Sequence, residues 1–171
     1  MITVVTGGIK SGKSSWSHKL GESIGGDRAF IATALALDEE IRQRIKKHQS
    51  DRSDKWTTWE EAVEIVPLLE DLTTRFEVVL LDCLTMWISN LLTVYNFSSE
   101  LVKQKSDDLT ACLSNKNNQI ILVTNEVGMG IIPSDPLSRT FQSLLGRLNR
   151  EVASVANELY MMVSGVPLQI K

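Results

Sequence analysis

A lysine and a serine close an unbroken G-x-x-x-x-G-K-S run, Gly7-Gly8-Ile9-Lys10-Ser11-Gly12-Lys13-Ser14, directly after the β-branched stretch Ile2-Thr3-Val4-Val5-Thr6. Each member of the run has a chemical task. Glycines let successive backbone N–H groups curl around phosphate oxygens, and a helix that follows presents its positive end to the same anion. Lys13 can reach β- and γ-phosphates, and the Ser14 hydroxyl can ligate Mg²⁺. The bland alternative is a glycine turn with a surface lysine. A strand before the run and a helix after it are the context that favours phosphate binding, and both are readable here. The pattern implies a protein that handles nucleoside triphosphates.

Such a loop works with a carboxylate closing a second apolar strand, where it helps to hold the metal. Phe76-Glu77-Val78-Val79-Leu80-Leu81-Asp82 fits that description, so Asp82 is the candidate. Glu126 follows the next apolar run and is either a second acid on the same rim or a carboxylate that pins its own turn. Of two histidines, His18 falls on the helix after the loop and reads as a packing residue. His48 shares a helical stripe with Ile41, Arg44 and Ile45 and stands among Arg44, Lys46, Lys47 and Arg52. That much positive charge could offset a triphosphate, and a neutral imidazole can attack phosphorus. A basic, solvated helix end is the other reading, and the residues alone leave both open.

Short β-rich runs alternate with segments of helical period, which is the α/β pattern. Strands are expected at Ile2–Thr6, Arg28–Thr33, Phe76–Leu81, Gln119–Thr124, Leu159–Val163 and Leu168–Ile170, the last pair turning through Gly165-Val166-Pro167 as an antiparallel edge hairpin. Helices are expected at Lys13–Ile24, Asp38–His48, Trp59–Leu72, Leu84–Leu92, Ser99–Asn115 and Pro136–Glu158. The last carries Leu137, Phe141, Leu144, Leu145, Leu148, Val152 and Val155 on one face. In a parallel sheet the functional loops gather at the carboxyl ends of the strands, which puts the segments after Thr6, Thr33, Leu81 and Thr124 at one rim.

With 171 residues, 43% of them hydrophobic, the chain reads as one domain with a sizeable core. A net charge of −3 argues against a sequence-independent nucleic-acid grip. No long apolar run or signal-peptide pattern is seen, so no membrane anchor is expected. Cys83 and Cys112 lack metal spacing, and Cys83, at the end of an apolar strand, reads as a reduced core thiol, which favours a cytoplasmic setting. The four tryptophans, Trp16, Trp56, Trp59 and Trp87, read first as packing residues and second as apolar surface for a bulky substrate.

These residues together resemble the bifunctional adenosylcobinamide kinase / adenosylcobinamide-phosphate guanylyltransferase family of cobalamin biosynthesis. Beyond the phosphate loop, the resemblance rests on Ile31-Ala32-Thr33-Ala34 with Asp38 and Glu40, and on Arg44-Ile45-Lys46-Lys47-His48 with Arg52, Trp56 and Thr58. It continues through Leu81-Asp82-Cys83-Leu84-Thr85, Val123-Thr124-Asn125-Glu126-Val127-Gly128-Met129-Gly130-Ile131-Ile132-Pro133, Gly146-Arg147-Leu148-Asn149 and Val163-Ser164-Gly165. Lys10 stands where the family commonly has Arg, Ser53 where it often has Pro, and Ile41 where it often has Met.

The resemblance implies a RecA-like P-loop NTPase fold, a mostly parallel sheet flanked by helices, with residues 1–171 as one kinase and guanylyltransferase domain. It implies a homotrimer, Mg²⁺ held by Ser14 and Asp82, and GTP and ATP as substrates. It also implies two reactions: phosphorylation of adenosylcobinamide, then transfer of GMP from GTP through a guanylyl-histidine to the corrinoid phosphate. His48 falls at the family's histidine, and Lys13 serves the phosphates in both steps. Nucleotide contacts carry over to Gly7 through Ser14, to Ala32, Thr33 and Ala34, to Gln49, Ser50, Asp51 and Arg52, and to Glu60 and Asp82. Trp59 precedes a Glu60-Glu61 pair, so either glutamate can be the one that matches. Two rival readings use the same loop and leave His48 idle: another small-molecule kinase, or a GTP-dependent switch or assembly module.

Overall fold

Leucine, isoleucine and valine runs set the centre of a sheet whose strands are buried on both faces. The computed structural model describes residues 1–35, 55–93, 96, 98–114 and 118–171. Its strands are Ile2–Gly7 (β1), Arg28–Ala32 (β2), Trp56–Glu60 (β3), Val78–Asp82 (β4), Gln119–Val123 (β5), Glu158–Val163 (β6) and Val166–Gln169 (β7). They form one seven-stranded sheet in the order β3-β2-β4-β5-β1-β6-β7. Every pairing is parallel except β6 with β7. The described helices are Lys13–Ser23 (α1), Ile65–Arg75 (α2), Leu84–Thr93 (α3), Ser99–Ser114 (α4) and Pro136–Val155 (α5).

Alternate strand residues part to opposite faces. Val4, Ile31, Val79, Leu81, Ile120 and Leu122 join Leu69 and Leu72 of α2, Trp87 of α3, Leu109 of α4 and Leu145 of α5 in one core. Val5, Phe30, Val78, Leu80, Ile121 and Val123 form the other, against which Trp16 and Leu20 of α1 pack. Burial on both faces explains why these strands read as near-continuous apolar runs. The α/β class and the antiparallel C-terminal edge are as the sequence led us to expect.

Several details differ. The helix expected over Trp59–Leu72 is a strand and a shorter helix. Trp56-Thr57-Thr58-Trp59 is a run of aromatic and β-branched residues that pairs in parallel with β2, Phe30 opposite Thr58. The Glu61 carboxylate then accepts from the N–H groups of Val63 and Glu64, at 2.8 and 2.9 Å, and turns the chain. Only afterwards does α2 begin, with Pro67 in its first turn, where proline is tolerated. Trp56 seats β3 against α1. Its indole lies over Gly21, where a Cβ would come within 2.5 Å of the ring, and its Nε1 donates to Glu22 Oε1 at 3.3 Å.

The hairpin turns through Ser164 and Gly165, both at positive φ (51° and 88°), so Val166 and Pro167 already belong to β7. The fourth strand starts at Val78, because Phe76 N–H closes α2 on Leu72 O and the Glu77 carboxylate accepts from Asp27 N–H. Helix α5 is capped by Asp135, whose Oδ2 accepts from Ser138 N–H at 2.7 Å, with Pro136 next. It ends at Val155, where Asn157 pairs both its backbone N–H and its side-chain oxygen with Ile2 and starts β6. Its buried stripe is Leu144, Leu145, Leu148 and Val152. Leu137, expected on that stripe, is 52% exposed and lines a shallow cavity with Ser89, Leu92, Thr93, Ser138 and Phe141. The expected helix Asp38–His48 lies outside the described residues. No helix among them is long and apolar enough to cross a membrane.

Candidate nucleotide site

β1 ends at Gly7, and Lys13 begins α1; the loop between them is shaped by backbone that side chains would obstruct. Gly7 sits at φ 141°, and a Cβ there would lie 2.6 Å from Met162 O of β6. Gly12, at φ 94°, has Gly165 Cα 3.3 Å from where its Cβ would be, so the C-terminal hairpin buttresses the loop. Gly165 N–H donates to Ser11 O at 3.0 Å and completes that support. Gly12 is also the N-cap of α1 and gives no side-chain cap. No cap side chain stands between an anion and the start of the helix, and no acidic residue in the first turn repels it.

Lys13 is buried, 8% exposed, and its Nζ donates to Gly7 O at 3.0 Å and to Gly8 O at 2.6 Å. The ammonium thus braces the loop from within, at the place where the loop curls around phosphate. Lys10 adopts a left-handed φ of 57°, while Ile9 points outward and is 76% exposed.

The pleat decides which carboxylates share this face. Val78 and Leu80 of β4 pack in the core on the α1 side, so Asp82 continues the same row. Register aligns Asp82 with Ala32 and with Val123, and Ala32 with Glu60. Asp82 and Glu60 therefore stand at the carboxyl ends of their strands on the side of α1. Glu61 does not, because its carboxylate is spent on the turn before α2. Glu126 also serves its own turn: its Oε1 accepts from Gly128 N–H, while its N–H donates to Gly7 O at 3.2 Å. His18 packs as expected, stacked on Phe30 at 5.1 Å and edge-on to Trp56. Trp56 and Trp87 are buried, the latter donating to Val63 O, and offer no face to a substrate.

Around these residues the rim is tied by hydrogen bonds that the sequence does not display, one of them from a residue, Asn90, that sequence reading missed. Thr33 Oγ1 donates to Cys83 O and accepts from Cys83 N–H, at 2.7 and 2.8 Å, tying β2 to β4. Thr85 Oγ1 accepts from Asn125 N–H, and Asn149 of α5 bonds both Thr124 Oγ1 and Asn125 O. Asn90 of α3 donates to Thr33 O and Ala62 O. Burial, with the Asp82 charge added, pushes the Cys83 thiol up to about 12, so it remains a protonated thiol. The one available signal for Asn90 was an amide on the apolar stripe of the helix, between Trp87 and Leu91 in Leu84-Thr85-Met86-Trp87-Ile88-Ser89-Asn90-Leu91-Leu92.

The structure thus brings together Gly7 through Ser14, Ala32, Thr33, Ala34, Glu60 and Asp82 along one rim. His48, with Arg44, Lys46 and Lys47, and Gln49, Ser50, Asp51 and Arg52 lie outside the described residues. Among those described, no group of three or more His, Cys, Asp or Glu side chains could cage a metal.

Comparison with known proteins decides the lineage. The family model for cobinamide kinase / cobinamide phosphate guanyltransferase matches residues 3–170. The chain belongs to that family. Within it, this cobinamide kinase / guanyltransferase family member is 35% identical over 185 residues to the bifunctional adenosylcobalamin biosynthesis protein CobU of Escherichia coli, covering all of both chains. It is 33% identical over 171 residues to the corresponding protein CobP of Pseudomonas aeruginosa, covering 100% of this chain and 98% of that one. Among solved structures, the RadB recombinase superposes with a TM-score of 0.50 at 14% identity, over 94% of this chain and 73% of that one. That last likeness concerns the fold: a RecA-like P-loop core.

Proposed function

We propose that this family member phosphorylates adenosylcobinamide and then transfers GMP from GTP to the resulting phosphate, giving adenosylcobinamide-GDP. The observation that carries the reading is the braced cradle of Gly7 through Ser14, with Asp82 on the same face of the sheet, in a chain matched by the family model from end to end.

The loop amides and the N-terminus of α1 bind and orient the phosphates, and Lys13 offsets charge that develops on the transferred group. Mg²⁺ fits the donors present, a hydroxyl at Ser14 and a carboxylate at Asp82, because this ion takes one or two protein ligands and leaves its other positions to phosphate and water. When bound, it neutralises charge on the phosphate oxygens. In the kinase step, the acceptor hydroxyl of the corrinoid attacks the γ-phosphorus, its proton is lost and the nucleoside diphosphate leaves. Positioning and electrostatics suffice there.

In the second step a neutral His48 ring nitrogen attacks the α-phosphorus of GTP. A P–N bond forms, the P–O bond to pyrophosphate breaks and pyrophosphate departs. An oxygen of the corrinoid phosphate then attacks the guanylyl phosphorus, and the imidazole leaves with its electron pair. Ala32 to Ala34, Gln49 to Arg52 and Glu60 are assigned to the guanine nucleotide. In this reading the enzyme is a cytoplasmic homotrimer, and light scattering tests its oligomeric state.

The experiment is product analysis by mass spectrometry after incubation with adenosylcobinamide, GTP and Mg²⁺. The corrinoid should gain one phosphoryl group and afterwards a GMP unit. A corrinoid returned unchanged, with GTP turned over on some other acceptor, would remove the assignment.

A further inference from the structure

We propose that the loop after β5 is the docking surface for the corrin ring of the acceptor, with Met129, Ile131 and Ile132 as its apolar contacts. The inference rests on the reading of the acceptor as a corrinoid.

The loop begins beside the phosphate loop. β5 is a neighbour of β1 in the sheet, and the pairing carries on past the strand ends. Thr124 N–H donates to Val5 O at 3.0 Å, and Glu126 N–H donates to Gly7 O at 3.2 Å. Helix α5 then holds the loop at both ends. Gln142 Nε2 donates to Val127 O at 2.7 Å, and Arg139 Nη1 donates to Pro133 O and Ser134 O at 2.9 and 2.6 Å. Between those pins, Met129, Ile131 and Ile132 are 76%, 94% and 78% exposed. Single exposed apolar residues are ordinary. Three of them close together on a loop tied down at both ends form a patch of the kind that marks a binding surface.

Position and charge choose the occupant. The acceptor hydroxyl must come within about 3–3.5 Å of the phosphorus held by the phosphate loop, so the body of the acceptor has to rest on what flanks that loop. On the β6 side the flank is the hairpin turn, where Gly165 Cα already stands 3.3 Å from the Cβ position of Gly12. On the β5 side it is the apolar loop. A corrin ring offers a broad, largely apolar face, and from Val127 through Ser134 the chain has no charged residue to desolvate against it. An anionic lipid surface fits worse, because no lysine or arginine lies between Asn125 and Ser138 to draw it. Contacts to the body of the acceptor are the same before and during phosphoryl transfer, so they should act on KM and not on kcat.

The test compares the double variant Ile131→Ser, Ile132→Ser and the single variant Ile131→Leu with the unmodified enzyme. Kinase turnover is measured with adenosylcobinamide and GTP varied in turn. Both positions are exposed, so the fold should not depend on them. In the double variant the KM for adenosylcobinamide should rise about tenfold or more, with kcat and the KM for GTP within about threefold of the original. Ile131→Leu keeps the apolar volume and should stay within about twofold. An unchanged corrinoid KM in the double variant, an equal rise in both KM values, or loss of folded protein would each overturn the docking role. Sedimentation at the assay concentration reads out the rival occupant: a lower mass for the double variant would assign the patch to contact between copies of this chain and overturn the proposal. If the unmodified enzyme phosphorylates no adenosylcobinamide, the functional reading fails and takes this proposal with it. If it does so and the double variant matches it, only the docking surface is lost.

Discussion

Gly7→Ala is the substitution whose cost the structure fixes most tightly. The added Cβ would stand 2.6 Å from Met162 O, 3.1 Å from Met162 N and 3.0 Å from Ser11 Oγ. Met162 is backbone of β6, in register with Gly7 and held on its other side by β7, so it cannot swing away as a side-chain tip can. Overpacking of this kind costs about 1–3 kcal/mol. Holding a non-glycine residue at φ 141° adds about 1–3 kcal/mol. The sum, about 2–6 kcal/mol, is a large share of the roughly 5–15 kcal/mol that keeps a domain folded. Gly8→Ala is the control, since a Cβ at Gly8 meets nothing within 4 Å and its φ is not in the left-handed region. Urea unfolding should show a loss of at least about 2 kcal/mol for the first variant and less than about 0.5 kcal/mol for the second. GTP affinity, followed by calorimetry, should drop for Gly7→Ala as the cradle opens. Equal stability for the two variants would refute the claim that the β1–β6 contact sets the shape of the loop.

Other consequences can be checked alongside. Lys13→Ala removes the group that braces Gly7 O and Gly8 O and, in the proposed reading, offsets phosphate charge, so both kinase and guanylyl activities should fall about 10²- to 10³-fold in steady-state assays. Survival of either would mean that reaction uses another nucleotide site. In α1, Gly21→Ala should destabilise on thermal melting, because overpacking against the Trp56 ring, about 1–3 kcal/mol, outweighs the helix-propensity gain of about 1 kcal/mol. Gly146→Ala in α5, where a Cβ meets nothing within 4 Å, should instead stabilise by about 0.5–1 kcal/mol. The Cys83 thiol, raised from 9.0 to about 12, should alkylate slowly at pH 8, with a rate still climbing between pH 9 and 11 in a stopped-time iodoacetamide assay. Because the unfolded chain loses that proton first, the contribution of Cys83 to stability is complete below pH 9 and is lost as pH rises toward 12.

What the sequence made legible follows from how local each signal is. The phosphate loop is contiguous, and its glycines, lysine and serine declare their roles by spacing. The strands β1, β4 and β5 announce themselves as apolar runs because helices cover both faces. Strand β3 was hidden by its continuation: Glu60-Glu61-Ala62 favours a helix, and only the Glu61 side-chain bonds to Val63 and Glu64 show that the chain turns first. The choice between Glu60 and Glu61 likewise depends on register with Ala32, which no linear pattern encodes. The bonds made by Asn90 and Thr33 belong to the same class. Their partners are backbone groups of remote loops, 57 and 50 positions away along the chain, and backbone carries no sequence signature. At α5, Asp135-Pro136 marks the start, but the end lies short of the expected Glu158 because Asn157 and Glu158 are taken by pairing to β1, a partner remote in the chain.

The central claim is that one imidazole, supplied by the chain between β2 and β3, captures GMP from a donor held by the N-terminal loop. It is tested most directly by incubating the enzyme with GTP labelled at the α-phosphorus and Mg²⁺, in the absence of corrinoid, and assaying label on the protein. We expect one acid-labile, alkali-stable guanylyl group on the intact enzyme and none on His48→Ala. Label that survives the substitution, or none on the unmodified protein while GMP transfer proceeds, would contradict the account.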